Sequence, residues 1–238
     1  MSETSSPFEV AVRQVGAYAA TLIRPGMRLG LGTGRTASAF LGELSKRLDE
    51  DLNLVAVCTS RNTEERARAM GIEIVESTEE PLDLDLDGAD EIDPDLNLIK
   101  GGGGAMVREK VVAERSRRFW VLADENKLVP KLGERHPVPL EILPFDWRGT
   151  AQRVRTTCDC RLTLRGGDRP FVTDNGNLIF DLEFTPGGLN PTQLALELSQ
   201  IPGVLGHGLF LGTATAALIS DGATVRVIGD LDRLRDPV

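Results

Sequence analysis

Apolar positions along the first half of the chain alternate between two spacings. From Phe8 to Ile23 they fall at helical intervals (Val12, Val15, Ala19, Leu22, Ile23), which predicts a helix. Arg28-Leu-Gly-Leu-Gly reads as a strand entering a glycine-rich turn, and Thr36 to Leu48 returns to a helical pattern. Asn53 to Thr59 is a buried, β-branched strand, Asn62 to Met70 a helix with Asn62 as its N-cap, and Ile72 to Val75 a short strand. Leu82 to Asp87 is a strand whose leucines and aspartates alternate, as on a half-exposed face. Ala105 to Arg117 is a helix with Val107 and Val111 on its buried side, and Phe119 to Ala123 a strand. Strands alternating with helices imply a parallel sheet covered by helices.

The rhythm changes after Pro130. Val138 to Leu143 reads as a strand, Trp147 to Thr156 as a helix and Arg161 to Leu164 as a strand. Phe171 to Thr173 and Leu178 to Phe184 flank Asp174-Asn-Gly-Asn177, a hairpin signal. Pro191 to Gln200 is a helix capped by Asn190 with proline at its first position, and Val204 to Leu211 is a strand. The order β-α-β-β-α-β marks a ferredoxin-like insert of about 75 residues. Thr224 to Ile228 is a last strand available to the main sheet.

Composition narrows the class. The chain has 238 residues, 41% hydrophobic and 26% charged, as in a globular protein with a real core. No apolar run approaches the roughly 18 residues of a membrane span. The first residues, Met1 to Pro7, lack the basic start and apolar stretch of a secretion signal. Three cysteines (Cys58, Cys158, Cys160) do not make a disulfide framework, which points to the reducing cytoplasm. A formal net charge of −9 argues against nucleic acid and anionic membranes as partners. Only five basic residues are lysines, and four of them (Lys100, Lys110, Lys127, Lys131) lie between positions 100 and 131.

Three segments carry candidate chemistry. Gly30-Leu-Gly-Thr-Gly-Arg-Thr36 lies at a strand-to-helix junction, where free N–H groups and the helix dipole favour a phosphate. It lacks the lysine of a Walker loop and the third glycine of a dinucleotide fingerprint, and a ligand-free tight turn is the alternative. Asp87-Gly-Ala-Asp-Glu91 follows a strand, at the end where open parallel sheets bind ligands. Its alternatives are a solvated acidic loop or a hard-cation site, although the spacing is not that of an EF-hand. His136 and His207 have no ligand-like spacing, so zinc is not expected. Lys100-Gly-Gly-Gly-Gly-Ala105 precedes a helix, and four glycines carry an entropic cost that close approach of a ligand would justify. Glu109 follows in the first turns of that helix, where a solvated glutamate is the ordinary expectation.

Taken together, GLGTGRT at 30–36, DGADEID at 87–93, KGGGGAMVREK at 100–110, ADENK at 123–127 and VTDNGN at 172–177 resemble the type A ribose-5-phosphate isomerase family over nearly the whole chain. The resemblance implies an α/β fold: a Rossmann-like parallel sheet flanked by helices, with a smaller ferredoxin-like α+β domain inserted near the C-terminus. The implied division is 1–132 with 209–238 for the catalytic domain and 133–208 for the insert. It implies a phosphorylated pentose as substrate, no metal or other cofactor, and a homodimer or homotetramer. Carried over by position, Thr33, Gly34, Arg35, Thr36, Asp87, Gly88, Ala89, Asp90, Lys100, Gly101, Gly102, Gly103 and Lys127 would bind substrate. Glu109 falls at the catalytic base, with Asp87, Asp90 and Lys100 sharing the chemistry. Arg35 stands where the family usually has serine, and Gly104 where alanine is common and glycine looks harmless. A non-catalytic sugar-phosphate sensor, or another sugar-phosphate isomerase or deaminase, is the competing expectation.

Overall fold

A computed structural model describes residues 6–185 and 187–235. The reading of the N-terminus therefore lies, for residues 1–5, outside the described residues. In chain order the elements are α1 (Pro7–Thr21), β1 (Arg28–Leu31), α2 (Arg35–Leu44), β2 (Val55–Cys58), α3 (Arg61–Ala69), β3 (Glu73–Ile74), β4 (Leu84–Asp87), β5 (Glu91–Ile92), β6 (Leu98–Ile99), α4 (Met106–Glu114) and β7 (Phe119–Asp124). They continue with β8 (Val138–Ile142), α5 (Trp147–Thr157), β9 (Arg161–Leu164), β10 (Leu178–Glu183), α6 (Pro191–Ser199), β11 (Val204–His207), β12 (Leu209–Phe210), β13 (Ala216–Ser220) and β14 (Val225–Gly229).

The chain gathers into two compact units. One comprises Met1–Gly88, Glu109–Lys127 and Thr213–Val238, the other Ala89–Arg108 and Leu128–Gly212. The cuts differ from the sequence-based division mainly in placing 89–108 with the second unit, and one cut falls inside α4.

The first unit holds a seven-stranded sheet in the order β14-β13-β7-β4-β1-β2-β3. All of its pairings are parallel except β13 with β14. Its core joins Val15, Ala19 and Ile23 of and after α1 with Phe40, Leu41 and Leu44 of α2 and Leu29, Leu84, Leu122 and Leu218 of the strands. A central strand of a parallel sheet is covered on both faces. For that reason β4 is not the half-exposed strand its alternation suggested: Asp85 is 1% exposed and Asp87 0%. β13 was not anticipated at all. Helix α3 starts after Ser60, whose hydroxyl accepts from Thr63 N–H at 3.2 Å, so Ser60 rather than Asn62 is the cap.

The second unit holds a four-stranded antiparallel sheet, order β11-β8-β10-β9, and a small sheet, order β12-β6-β5. Numbering the four strands by sequence gives 4-1-3-2, with α5 and α6 as crossovers: the ferredoxin-like arrangement. Leu140, Phe180 and Leu182 pack with Ala151, Val154, Leu194 and Leu198 of the helices. Asn190 caps α6 as expected, accepting from Gln193 N–H at 3.2 Å. The predicted strand from Val204 to Leu211 divides at Gly208 into β11 and β12.

Candidate active site

In the first unit, β1 and β4 run parallel with Leu31 beside Leu86, so the turn after β1 and the acid ending β4 meet at the carboxyl edge of the sheet. Asp87 Oδ1 accepts from Thr33 N–H at 3.0 Å and from Gly88 N–H at 2.7 Å. A Cβ on Gly32 would stand 2.1 Å from the Asp87 carboxyl, so no other residue fits there without displacing it. The Thr33 hydroxyl lies 2.7 Å from that of Thr59, and Thr63 donates to Gly32 C=O at 3.0 Å. Gly34, at φ 107°, precedes α2 without any side-chain cap. Gly34 and Arg35 are exposed and Thr36 is half-buried, so this helix start faces solvent. The Arg35 guanidinium lies 4.1 Å from the centroid of the Phe8 ring, which engages its charge on an aromatic face. Lys127 follows the carboxyl end of β7 in a short 3₁₀ turn (Glu125–Lys127) and is half-buried.

Glu109 is 4% exposed, which overturns the ordinary expectation of a solvated side chain. The phase of α4 explains it. Met106, Val112 and Ala113 are the buried apolar residues, and Glu109 lies on the same stripe at helical spacing. Val111, expected on the buried side, is 60% exposed. Burial pushes the Lys110 ammonium down to about 8, against the opposing pull of Glu114.

In the second unit, Lys100 is 3% exposed. Its N–H donates to Gly208 C=O at 2.8 Å, and its Nζ lies 5.4 Å from the centroid of the Phe210 ring. Asp90 and Ala89 are half-buried. Asp90 Oδ2 accepts from Gly102 N–H at 2.7 Å, and its own N–H donates to Ile99 C=O at 2.8 Å. Gly101 to Gly104 form a turn closed by Gly104 N–H to Gly101 C=O at 2.9 Å, with Gly102 and Gly103 exposed. Glycine suits position 104 here. Its φ is 83°, and a Cβ would sit 2.4 Å from the Phe171 ring, so an alanine would strain the backbone and displace the ring.

The structure thus divides the predicted residues. Thr33, Gly34, Arg35, Thr36, Asp87, Gly88, Glu109 and Lys127 belong to the first unit; Ala89, Asp90, Lys100, Gly101, Gly102 and Gly103 to the second. Sequence reasoning missed the group around the 173–177 turn. Glu141 of β8 is fully buried, and its Oε1 accepts from Thr173 Oγ1 at 2.9 Å, Asn177 Nδ2 at 2.8 Å and Asn175 Nδ2 at 3.1 Å. Asn175 Oδ1 in turn accepts from Arg108 Nε at 2.7 Å. Asp-Asn-Gly-Asn signalled only a turn, because a glutamate more than thirty residues earlier carries no local mark of pairing with it. Burial raises the Cys58 thiol to about 12 and Cys158 to about 11, keeping both protonated at neutral pH.

Comparison with known proteins matches these features. The family model described as ribose 5-phosphate isomerase A (phosphoriboisomerase A) matches residues 55–223. Ribose-5-phosphate isomerase A of Bacillus mycoides is 46% identical over 206 residues, 86% of this chain and 92% of that one. The solved ribose 5-phosphate isomerase of Plasmodium falciparum superposes with a TM-score of 0.88 at 34% identity, covering 94% of this chain and 99% of that one. A D-ribose-5-phosphate isomerase solved in complex with phospho-erythronic acid gives 0.84 at 34% identity, covering 92% and 98%. The α/β fold is that of the solved ribose 5-phosphate isomerases, and the chain is an aldose–ketose isomerase. The chain belongs to the ribose 5-phosphate isomerase A family.

Proposed function

We propose that Glu109 is the general base of a reversible isomerisation between D-ribose 5-phosphate and D-ribulose 5-phosphate. The reaction comes with family membership; the observation that carries the residue assignment is the burial of Glu109 on the inner stripe of α4. The proton on carbon 2 of the open-chain sugar is a weak acid. Glu109 removes it and returns it to carbon 1, and an enediolate lies between the two steps. Lys100, a buried ammonium, stabilises the oxygen charge that develops, where a fixed cation in a low-dielectric setting acts most strongly. Asp87 opens the sugar ring by proton transfer, and Asp90 orients hydroxyl groups. The glycine turns and Lys127 receive the phosphorylated chain, with Thr33 to Thr36 and Lys100 to Gly103 as substrate contacts.

The remaining assignments belong to the same proposal. The catalytic domain is 1–132 with 209–238, and 133–208 is the accessory domain. The protein works without metal or cofactor, so a chelator leaves the rate unchanged. It is a cytoplasmic homodimer or homotetramer, a state that light scattering reads directly. Among the described residues no helix is long and apolar enough to cross a membrane.

Incubation with ribose 5-phosphate in deuterated water tests the reaction: the expected product is ribulose 5-phosphate labelled at carbon 1, and absence of product overturns it. Glu109→Gln tests the base. The variant should lose roughly 10²–10⁴-fold in kcat with substrate binding retained, as removal of a general base does. Near-normal turnover would rule out the assignment.

A further inference from the structure

Arg165, just beyond β9, touches the glycine turn in a way that no role given so far uses. Its guanidinium makes a two-pronged pair with Asp181 of β10, through Nε to Oδ2 at 3.0 Å and through the second terminal nitrogen to Oδ1. The pair is largely withdrawn from water, with side chains 19% and 18% exposed. The remaining terminal nitrogen donates to two successive carbonyls, Gly101 C=O at 2.8 Å and Gly102 C=O at 3.2 Å. One edge of the guanidinium is thus fixed by Asp181, and another grips the backbone of the turn. The Phe171 ring centroid stands 6.0 Å from the guanidinium carbon, and the same ring closes the space beside Gly104.

The consequence follows from peptide geometry. In a trans peptide the C=O and the next N–H point in opposite directions. Drawing the carbonyls of Gly101 and Gly102 toward Arg165 therefore turns the N–H groups of Gly102 and Gly103 the other way. The first of these meets Asp90 Oδ2, and Gly103 is exposed. Glycine peptides flip at little steric cost, so four in succession do not select this orientation themselves. Gly104 N–H on Gly101 C=O at 2.9 Å and Asp90 on Gly102 N–H already hold the first peptide, and Arg165 adds a second donor there and supplies the donor on Gly102 C=O. A lysine would not replace this arginine, because one ammonium lacks the planar fork that holds a carboxylate on one edge and carbonyls on another.

We propose that Arg165, anchored by Asp181, is a positioning residue that fixes the peptide orientation of the Gly101–Gly103 turn and thereby aims Gly103 N–H as a donor to the substrate. The proposal rests on the reading of Lys100 to Gly103 as substrate-binding. It acts through preorganisation: donors already aimed need no rearrangement when charge develops.

The test uses the full chain. Arg165→Ala should lower kcat about 10- to 100-fold, less than the roughly 10²–10³-fold of removing an aimed donor outright, with a smaller change in KM. Millimolar guanidinium ion should restore part of that loss, and Arg165→Lys should not. Asp181→Asn, which keeps the shape and removes the anchor charge, should show a smaller loss in the same direction. Amide hydrogen exchange supplies a readout independent of turnover: in Arg165→Ala the peptide spanning 101–104 should exchange faster while the core of the second unit is unchanged. Wild-type kcat together with unchanged exchange overturns the proposal. So does a loss of activity that guanidinium leaves unrescued and that tracks a general fall in melting temperature. If the wild-type chain fails to isomerise ribose 5-phosphate, the functional reading falls, and the exchange measurement still decides whether Arg165 orients the turn.

Discussion

At Gly32 the backbone passes so near Asp87 that an added Cβ would stand 2.1 Å from its carboxyl group; at Gly101 and Gly102 the backbone is held from outside, by an arginine on its carbonyls. The two glycine-rich turns look alike as sequence. The first is fixed from within, since its shape follows from what the glycine must make room for. The second is close-packed too, with an added Cβ 2.9 Å from Met106 at Gly101 and 2.8 Å from Asp90 at Gly102, but its carbonyls are also held by a side chain more than sixty residues away. Each also has its own acid. Asp87 receives N–H groups of the first turn and Asp90 one of the second, so two aspartates three positions apart organise different loops in different units.

The sharpest way to break this contrast is Gly32→Ala. With a buried carboxylate in the way, overpacking should cost about 3 kcal/mol or more in urea denaturation, and activity should be lost. A tolerated alanine would show that the first turn is not locked from inside. Asp87→Ala comes next. It leaves the N–H groups of Thr33 and Gly88 without this acceptor, at roughly 1–3 kcal/mol for each one that stays buried. Asp87→Asn keeps an oxygen for both donors and should retain most of the stability while turnover falls, which separates the structural use of the acid from its charge. Gly104→Ala should cost about 1–2 kcal/mol for its left-handed backbone, and a further amount for its contact with the Phe171 ring. Combined with Phe171→Ala it should recover the part due to the ring, leaving the backbone part.

The smallest effect concerns the helix between the turns. Lys110 titrates near 8 in the folded protein against an ordinary 10.5. Between those values the unfolded chain binds more protons than the folded one, so stability should rise with pH across that window. Lys110→Met should flatten the rise when denaturation midpoints are compared at its two ends.

Much of the fold was legible because it depends on neighbours. Helix α6 has its cap at Asn190 and its proline at the first position, and the β-α-β-β-α-β order was plain from turns and spacing. What escaped depended on partners distant in sequence. β13 escaped because a short Ala-Ala-Leu-Ile-Ser run has little β-branching, and only pairing with β7 makes it a strand. The burial of Glu109 escaped because Val107 and Val111 suggested the wrong phase for α4, which Met106, Val112 and Ala113 set instead. The candidate acids, the lysine and the glycine turns could be named from motifs. Arg165, which bonds carbonyls of the second glycine turn, and Glu141, which bonds the 173–177 turn, could not, since neither residue carries a local mark of its distant partners.

The pairing of β7 with β13 has a kinetic consequence. Trp120 lies beside Ala216, and about 90 residues separate the two strands along the chain. Closing a flexible loop of that length costs about 4 kcal/mol in chain entropy before any contact offsets it. The insert relieves this only if its own ends come together first. Its four-stranded sheet, built from contacts closer in sequence, is therefore expected to form ahead of the last strands of the large sheet, and the edge β13-β14 hairpin to be the late-docking element in refolding.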